Sequence, residues 1–410
     1  MVKSMAPIAF KVRLYPNQKQ ISQMSRTFGS TRFVWNQMLA MQNARYKNNH
    51  QAKYQNNYAM DLMLKPLKKE YPWLKDVDAT ALQATNDHLH DAFQRFFNKE
   101  LDNGYPQFKS KKNYAQSYTT KAVNQNIKII DNHHLKLPKL GQVYFRAGQI
   151  LNGKIKRATV RINAQGQYYA TILLESEKQA FKPKDKTNKV VGIDLGLDDL
   201  MILSNGQKIN MMHFDLEAKS QVRIWERKVA RRRRNAQKEM AFDKHEKLLL
   251  PRTSLKQFPR YQQARRTAAK LKRQVSDRRS DRLQKLTTQL VQNYDVIVVE
   301  KLNTQGMLKN HHLARAISNA GWGKLVSMLK YKCDWYGKQL IFVDAQNTSR
   351  ICHQCGQKNH QFDNLNQHEW LAVREWVCPT CGTHLNRDIN ASQNILHRGL
   401  AQTTKEKALV

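Results

Sequence analysis

The stretch Val190-Val-Gly-Ile-Asp-Leu-Gly196 places one carboxylate, Asp194, in the middle of an apolar strand. A short turn, the apolar run 200–203 and the pair Asn205-Gly206 follow it. Asn-Gly is typical of two-residue hairpin turns, because both residues adopt positive φ angles readily. The stretch therefore predicts a strand–turn–strand–turn–strand meander that begins a new folding unit near residue 190.

Two further carboxylates occupy related positions. Glu300 ends the apolar run 295–300, and Asp388 begins a late helix in Arg387-Asp-Ile-Asn-Ala-Ser-Gln-Asn. A carboxylate in apolar surroundings is costly unless it is paired or binds a metal. Taken alone, Asp194 or Glu300 is equally compatible with a turn or a salt bridge at a strand end. An Asp on the first strand of a meander, a Glu ending a later strand and an Asp on a final helix together indicate a ribonuclease H-like sheet that gathers carboxylates.

These three acids have the chemistry of a magnesium site. Mg²⁺ prefers oxygen ligands and retains waters and phosphate oxygens in its shell. Two ions roughly 3.5–4 Å apart would activate an attacking water and stabilise the leaving oxygen. We therefore predict a nuclease in which Asp194, Glu300 and Asp388 are the catalytic acids and the ligands of two Mg²⁺ ions. Asp198 and Asp199, which follow the first strand, are interpreted as turn formers.

Four of the five cysteines form two close pairs, Cys352-x2-Cys355 and Cys378-x2-Cys381, separated by 22 residues. This spacing allows the two pairs of thiolates to meet one tetrahedral Zn²⁺. A glycine follows each pair directly and permits a tight backbone turn. Because four protein ligands close a zinc site, we predict one structural Zn²⁺ here; the alternative is four unpaired structural cysteines. Cys333 stands apart and is interpreted as a small buried apolar residue.

The charge balance points to a polyanionic partner. Lys and Arg total 70 against 32 Asp and Glu, which gives a net charge of +38. Such an excess disfavours a folded chain unless a polyanion relieves the repulsion. Basic tails carry their charge in low-complexity blocks, whereas here it is spread along the chain. We therefore predict that the protein binds nucleic acid.

The basic residues are densest in a segment with little β character. Residues 223–285 hold 22 Lys and Arg against 6 Asp and Glu. We predict a basic helical hairpin at about 215–290, with nucleic-acid contacts in its densest patch, which consists of Arg231, Arg232, Arg233 and Arg234.

No apolar run reaches the roughly 18 residues of a membrane helix, and residues 1–12 lack a secretion signal. We expect no membrane partner and a cytoplasmic location.

The N-terminal part changes pattern twice. Residues 8–15 alternate apolar and polar and predict a strand that ends at Pro16. The segment 18–98 predicts amphipathic helices, one with Phe28, Phe33, Trp35, Met38 and Leu39, another with Leu82, Leu89, Phe93, Phe96 and Phe97. Residues 117–176 return to short strands. We predict a small β-barrel interrupted by a helical insert and followed by a linker at 181–188.

Seven motifs, in order from about residue 10 to 397, resemble the TnpB family, the transposon-encoded RNA-guided nucleases related to type V CRISPR effectors. They are Arg13-Leu-Tyr-Pro-Asn, Gly192-Ile-Asp-Leu-Gly, Val299-Glu-Lys-Leu-Asn, Ala320-Gly-Trp-Gly, Thr348-Ser-Arg-Ile-Cys-His-Gln-Cys-Gly, Cys378-Pro-Thr-Cys-Gly and Arg387-Asp-Ile-Asn-Ala-Ser. The chain reads Asn386-Arg-Asp388 where many relatives read Asp-Arg-Asp. This difference keeps the catalytic Asp and bears only on metal affinity.

The resemblance implies a bilobed, multidomain α/β plus β protein. Residues 1–15 and 116–182 would form the wedge β-barrel and 16–115 the helical recognition domain. Residues 183–347 and 383–410 would form the RuvC-like nuclease domain, with the zinc finger at 348–382. Gln83 and Asn124 match places where the family contacts the target-adjacent motif.

The resemblance also implies the activity and the partners. TnpB-like proteins bind a guide RNA derived from the transposon end, recognise a short motif next to the target and cut both strands of double-stranded DNA with one RuvC site. A nucleoid-associated protein of a prokaryote is expected. Two alternatives remain: an RNA-guided DNA-binding repressor, disfavoured by the complete acidic triad, and a RuvC-type transposase, disfavoured by the ordered motifs.

Overall fold

The computed structural model describes residues 8–101, 103–111, 116–175, 184–242 and 254–408. By its internal contacts the chain divides into two units, Met1–Ala180 and Phe181–Val410. The first part of the predicted linker, residues 181–183, and the middle of the predicted basic hairpin, residues 243–253, lie outside the described residues. No described helix combines the length and the apolarity needed to cross a membrane.

In its described residues, the first unit contains one antiparallel sheet, three α-helices and the short 3-10 helix Pro72–Asp76. In chain order its elements are β1 (Ile8–Tyr15), α1 (Gln18–Asn48), α2 (Asn57–Glu70), α3 (Ala79–Phe97), β2 (Ser117–Lys121), β3 (Lys128–Ile129), β4 (His134–Leu137), β5 (Gly141–Arg146), β6 (Lys154–Ile162) and β7 (Tyr168–Glu175). The seven strands lie in the order β2-β6-β7-β1-β5-β4-β3. The helices α1, α2 and α3 lie between β1 and β2 in the chain. The closed barrel stays a prediction, because β2 and β3 end the strand order in the described part of the sheet.

Local sequence explains these boundaries. Pro16 follows β1, and Asn17 caps α1: its side chain accepts a hydrogen bond from the backbone N–H of Gln20, whose own side chain accepts one from the Asn17 N–H. Val12 and Leu14 alternate inward from β1 as the pattern predicts. The predicted core face of α3 is wrong at its end, since Phe96 and Phe97 are 38% and 50% exposed.

The second unit is built on a five-stranded sheet. Its elements are β8 (Val190–Asp194), β9 (Asp199–Leu203), β10 (Lys208–Asn210), α4 (Phe214–Glu217), α5 (Lys219–Phe242), α6 (Pro259–Asn293), β11 (Val296–Glu300), α7 (Thr304–Met307), α8 (Ala314–Ala320), α9 (Trp322–Tyr336), β12 (Gln339–Val343), α10 (Gln367–Ala372), β13 (Glu375–Val377), β14 (His384–Asn386) and α11 (Arg387–Ala408). The sheet order is β10-β9-β8-β11-β12. The predicted meander is present, and β11 runs parallel to both β8 and β12.

Helices cover both faces of this sheet. Val191 and Ile193 of β8 share one core with α6 and α9, while Val298 of β11 packs with Ile395 of α11 on the other face. Gly192 permits the close approach of α11, since a Cβ at this position would collide with the Ser392 carbonyl oxygen of that helix. The alternation of each strand therefore decides which side chains meet the last helix.

Candidate functional site

Strand alternation directs two of the three predicted acids toward α11. Gly192 and Val298 face that helix. Asp194 and Glu300 follow them by two residues on the same strands, so their side chains point to the same face of the sheet. Because β8 and β11 are parallel neighbours, both acids lie at the same edge of the sheet. The apolar flanks predicted that Asp194 lies in the middle of a strand. This prediction is wrong, because Asp194 is the last residue of β8.

Asp388 is the second residue of α11. Its carboxylate accepts hydrogen bonds from Arg387 Nε to Oδ1 at 2.8 Å and from Arg374 Nη1 to Oδ2 at 3.2 Å. The same Arg374 guanidinium also pairs with Asp198. Asp198, interpreted as a turn former, is thus linked to the predicted catalytic acid through one arginine.

Burial and neighbouring carboxylates raise the pKa of both strand acids. Burial, the charge of Glu300 and then that of Asp388 raise the pKa of Asp194 from 3.8 to about 8. Burial also raises the pKa of Glu300. The hydrogen bond that Thr348 Oγ1 donates to Glu300 Oε1 at 3.0 Å lowers this pKa and so opposes the effect of burial. These groups therefore interact electrostatically, as acids that share one site do.

The chemistry of these donors fits a hard divalent cation. Asp194 and Glu300 are carboxylates that burial penalises when ionised, and a cation would remove that penalty. Within the described residues, only the four cysteines bring three or more His, Cys, Asp or Glu ligand atoms within 4.8 Å of one another. The ligand atoms of the three acids therefore do not all lie within 4.8 Å of one another, although Glu300 and Asp388 both raise the pKa of Asp194, and two arginines contact Asp388.

The raised pKa of Asp194 predicts a pH-dependent stability. A carboxyl group whose folded pKa is raised stabilises the fold most fully below about pH 4, and that contribution is lost as pH rises toward about 8. Asp194→Asn removes the titration. In Mg²⁺-free buffer, we expect the melting temperature of the variant to exceed that of wild type increasingly between pH 5 and pH 8.5. A scan by differential scanning fluorimetry checks this.

The matched control is Asp334→Asn, which neutralises an exposed acid on α9. Its melting temperature should track that of wild type across the same pH range. A difference for Asp194→Asn that stays constant with pH would contradict the expectation.

The four predicted zinc ligands come together. Cys352 Sγ lies 3.7 Å from Cys381 Sγ, and Cys355 Sγ lies 3.6 Å from Cys378 Sγ. A tetrahedral site with Zn–S bonds of about 2.3 Å has S–S separations of about 3.8 Å. All four thiols are free of disulfides, and Cys333 is buried elsewhere, in the core with α6 and α9. The cysteine geometry therefore fits a tetrahedral metal.

Within the predicted basic hairpin, the described helices α5 and α6 pack against each other. Arg231, Arg233 and Arg234 are exposed on α5, whereas Arg232 is half-buried and donates a hydrogen bond to the carbonyl oxygen of Arg260 on α6 at 2.6 Å. Arg232 thus joins the two helices.

The two predicted motif-reading residues lie in the first unit. Gln83 is exposed in the first turns of α3. Asn124 is exposed between β2 and β3 with a positive φ of 50°. Their proposed role stays a prediction.

Sequence reasoning missed the residues that contact the acids. Arg387 is the neighbour of a predicted acid within one of the seven quoted motifs, and Thr348 begins another, so both gave a weak signal. Arg374 gave none, because it reaches Asp388 only through the β13–β14 pairing, which sets Glu375 opposite Asn386 and joins the Arg387 N–H to the Arg374 carbonyl.

Three family models match the chain. They are a helix-turn-helix domain of OrfB_IS605 at residues 5–51, the "Probable transposase" OrfB_IS605 at 171–311 and the "Cas12f1-like, TNB domain" at 322–395. Within the described residues, the first match covers β1 and the single 31-residue helix α1 rather than two helices joined by a turn.

Individual proteins align over nearly the full length. A protein of Streptomyces pristinaespiralis is 33% identical, covering 96% of this chain and 89% of its own length, and InsQ of Escherichia coli K12 is 30% identical, covering 96% and 92%. Both bear the name "putative RNA-guided DNA endonuclease". The chain of a solved Cas12f1–sgRNA–target DNA complex shares the fold, with a TM-score of 0.51, 13% identity and coverage of 96% of this chain and 99% of that chain. With a relative this similar over nearly its whole length, and with the OrfB_IS605 models and the ordered motifs in agreement, the chain belongs to the TnpB family.

Proposed function

We propose that this protein is a transposon-encoded RNA-guided DNA endonuclease that cuts double-stranded DNA next to a short motif. The hydrolysis would depend on Mg²⁺ held by Asp194, Glu300 and Asp388. One observation supports the chemical part of the proposal: two neighbouring parallel strands direct the half-buried Asp194 and the buried Glu300 to the start of the helix that supplies the third acid. The names of the full-length relatives support guidance by RNA.

The proposed roles of the side chains follow from their contacts. Thr348 orients the Glu300 carboxylate through its hydroxyl. Arg374 and Arg387 offset the negative charge of Asp388 and so reduce the repulsion among the three acids. Mg²⁺, when bound, would activate water and stabilise the charge that develops on the scissile phosphate. Asp388 would also be a ligand of Mg²⁺, and its carboxylate would then contact the cation in place of Arg374 or Arg387.

The four cysteines would hold one structural Zn²⁺. Their sulfur separations match a tetrahedral site, and four protein ligands leave no open position for substrate. The zinc would fix the segment between β12 and α11, which carries both Thr348 and Arg374.

The test combines RNA sequencing with programmed cleavage. RNA that co-purifies with the protein, expressed beside its transposon end, should be one defined species that ends in variable sequence. Exchanging that variable end should redirect double-strand cleavage in Mg²⁺ to a plasmid bearing the new match. Guided binding without cutting would favour the repressor, and rejoined strands would favour the transposase.

The exposed arginines of α5 predict a salt-dependent affinity for duplex DNA. Affinity should fall with salt with a log–log slope of about −0.9 for each phosphate neutralised. We expect Arg231→Gln, Arg233→Gln and Arg234→Gln, combined, to make the slope shallower by about 0.9 for each phosphate that the variant no longer neutralises. Fluorescence anisotropy over a salt series measures it.

The control removes the same charge from another exposed surface by combining Lys65→Gln, Lys69→Gln and Lys75→Gln. A smaller change in slope than that of the arginine variant indicates that α5 contacts the phosphates. Equal changes would mean that only net charge matters and would remove α5 from the proposed interface.

A further inference from the structure

The helical insert of the first unit contains an aromatic cavity that the nuclease chemistry does not use. It has a volume of about 470 Å³ and lies at the C-terminal ends of α1 and α3. Six aromatic rings line it: Tyr46, Tyr54, Phe93, Phe96, Phe97 and Tyr105. Its size falls within the range of cavities that bind small molecules.

The solvent exposure of the rings increases from the core to the surface. Phe93 is buried and stacks against Phe97 at a centroid distance of 5.9 Å. Phe96 meets the edge of Tyr105 at 5.2 Å. Phe97 and Tyr105 are 50% and 40% exposed, so their outer surfaces are open to solvent. A cluster of large apolar groups that is left uncovered on a helix end indicates a binding surface rather than a core.

Several of these groups are held in place before any ligand arrives. The Tyr105 hydroxyl donates a hydrogen bond to Asn43 Oδ1 at 2.6 Å, and the Gln42 amide donates one to the Gln55 carbonyl oxygen at 2.6 Å. Tyr54 lies 5.0 Å from Phe93 and 5.5 Å from Phe97. The stacking surface is therefore formed in advance, and binding a planar ligand would cost the protein little conformational entropy.

The remaining lining is basic. Arg45, His50 and Lys53 contribute to the wall of the cavity, and none of the described lining residues is acidic. Aromatic faces beside cationic side chains are the combination that binds a base by stacking and its phosphate by charge. A protein partner would call for an apolar helix or strand, and basic edges on a chain of net charge +38 favour a polyanion instead.

We propose that this cavity binds an unpaired nucleobase by stacking it against Phe97, with the adjoining phosphate held by Arg45 and Lys53. The inference rests on the proposed function to the extent that the strand would come from the guide RNA or from the opened target DNA. Inside a duplex both faces of each base are stacked on neighbouring bases, so the cavity would distinguish single-stranded from internally paired nucleic acid.

The experiment uses the full chain, stripped of bound RNA by high-salt chromatography. The probes are single-stranded RNA and DNA oligonucleotides that contain 2-aminopurine, whose fluorescence falls on stacking, and a fully paired duplex. We expect Phe97→Ala to weaken binding of the single strands on the order of tenfold, to abolish the quenching and to leave duplex binding unchanged. Phe97→Tyr should restore both signals, because it keeps the ring. A larger loss of affinity for the RNA probe identifies the guide RNA as the source of the bound base. A larger loss of affinity for the DNA probe identifies the target strand as that source.

The matched control is Leu62→Ala, which removes an apolar side chain that is 76% exposed on α2, outside the cavity. Its affinity for every probe should equal that of wild type. Unchanged single-strand affinity in Phe97→Ala, or an equal loss for duplex, would overturn the proposal. Because the readout is binding without cleavage, this outcome is separate from any failure of the nuclease assignment.

Discussion

Asp194→Asn is expected to abolish target cleavage while guide RNA and target DNA remain bound. Asparagine keeps the size of the side chain and removes its charge, so the sheet edge and the basic surfaces should be preserved. A cation site that loses one of its charged ligands loses several kcal/mol of transition-state stabilisation, and each 1.4 kcal/mol is a factor of about ten in rate. We therefore expect a loss of at least about a thousandfold in the rate of plasmid cleavage.

The same Asp334→Asn control applies here, because it changes the net charge equally on the exposed face of α9. It should cut at the wild-type rate. Electrophoretic mobility shift with a matched target measures binding for all three proteins. Cleavage by Asp194→Asn at the wild-type rate would remove Asp194 from the catalytic site, and joint loss of binding would indicate misfolding instead.

The two strand acids could be proposed from sequence because each is a charged residue next to an apolar run. Asp194 and Glu300 end β8 and β11, and strand periodicity then determines that both side chains face α11. Their separation in sequence hides their proximity, which only the parallel pairing of β8 with β11 establishes. The meander and the late helix supplied the order of the elements but not the distances between them.

The contacts that surround the acids could not be predicted in the same way. Arg374 reaches Asp388 through the register of a short hairpin, and strands of three residues contain too little hydrophobic pattern to specify a register. The failure at Phe96 and Phe97 has a related cause. Helical periodicity identifies an apolar face, but it does not say where the covering element stops.

Cys378→Ser is expected to release the zinc and to unfold the segment between β12 and α11. Structural zinc contributes roughly 10–16 kcal/mol of apparent binding energy in small zinc domains, so a lost thiolate has a large effect. Cys378 is buried in a small core with Phe362, Trp370 and Trp376, which has few other apolar partners. We expect less than one zinc per chain by elemental analysis, a separate low-temperature melting transition and loss of cleavage.

Cys333→Ser separates loss of zinc from loss of a buried thiol. Cys333 is 1% exposed in the core with α6 and α9, so its replacement should lower the melting temperature yet keep one zinc per chain. The loss of cleavage in Cys378→Ser would then result from misplaced acids and not from a lost contact between zinc and substrate. The same segment contains Arg374, which contacts Asp388, and Thr348, which contacts Glu300. Full zinc occupancy in Cys378→Ser would refute the four-cysteine site. A zinc-free variant with wild-type cleavage would show instead that α11 and the sheet hold the acids without it.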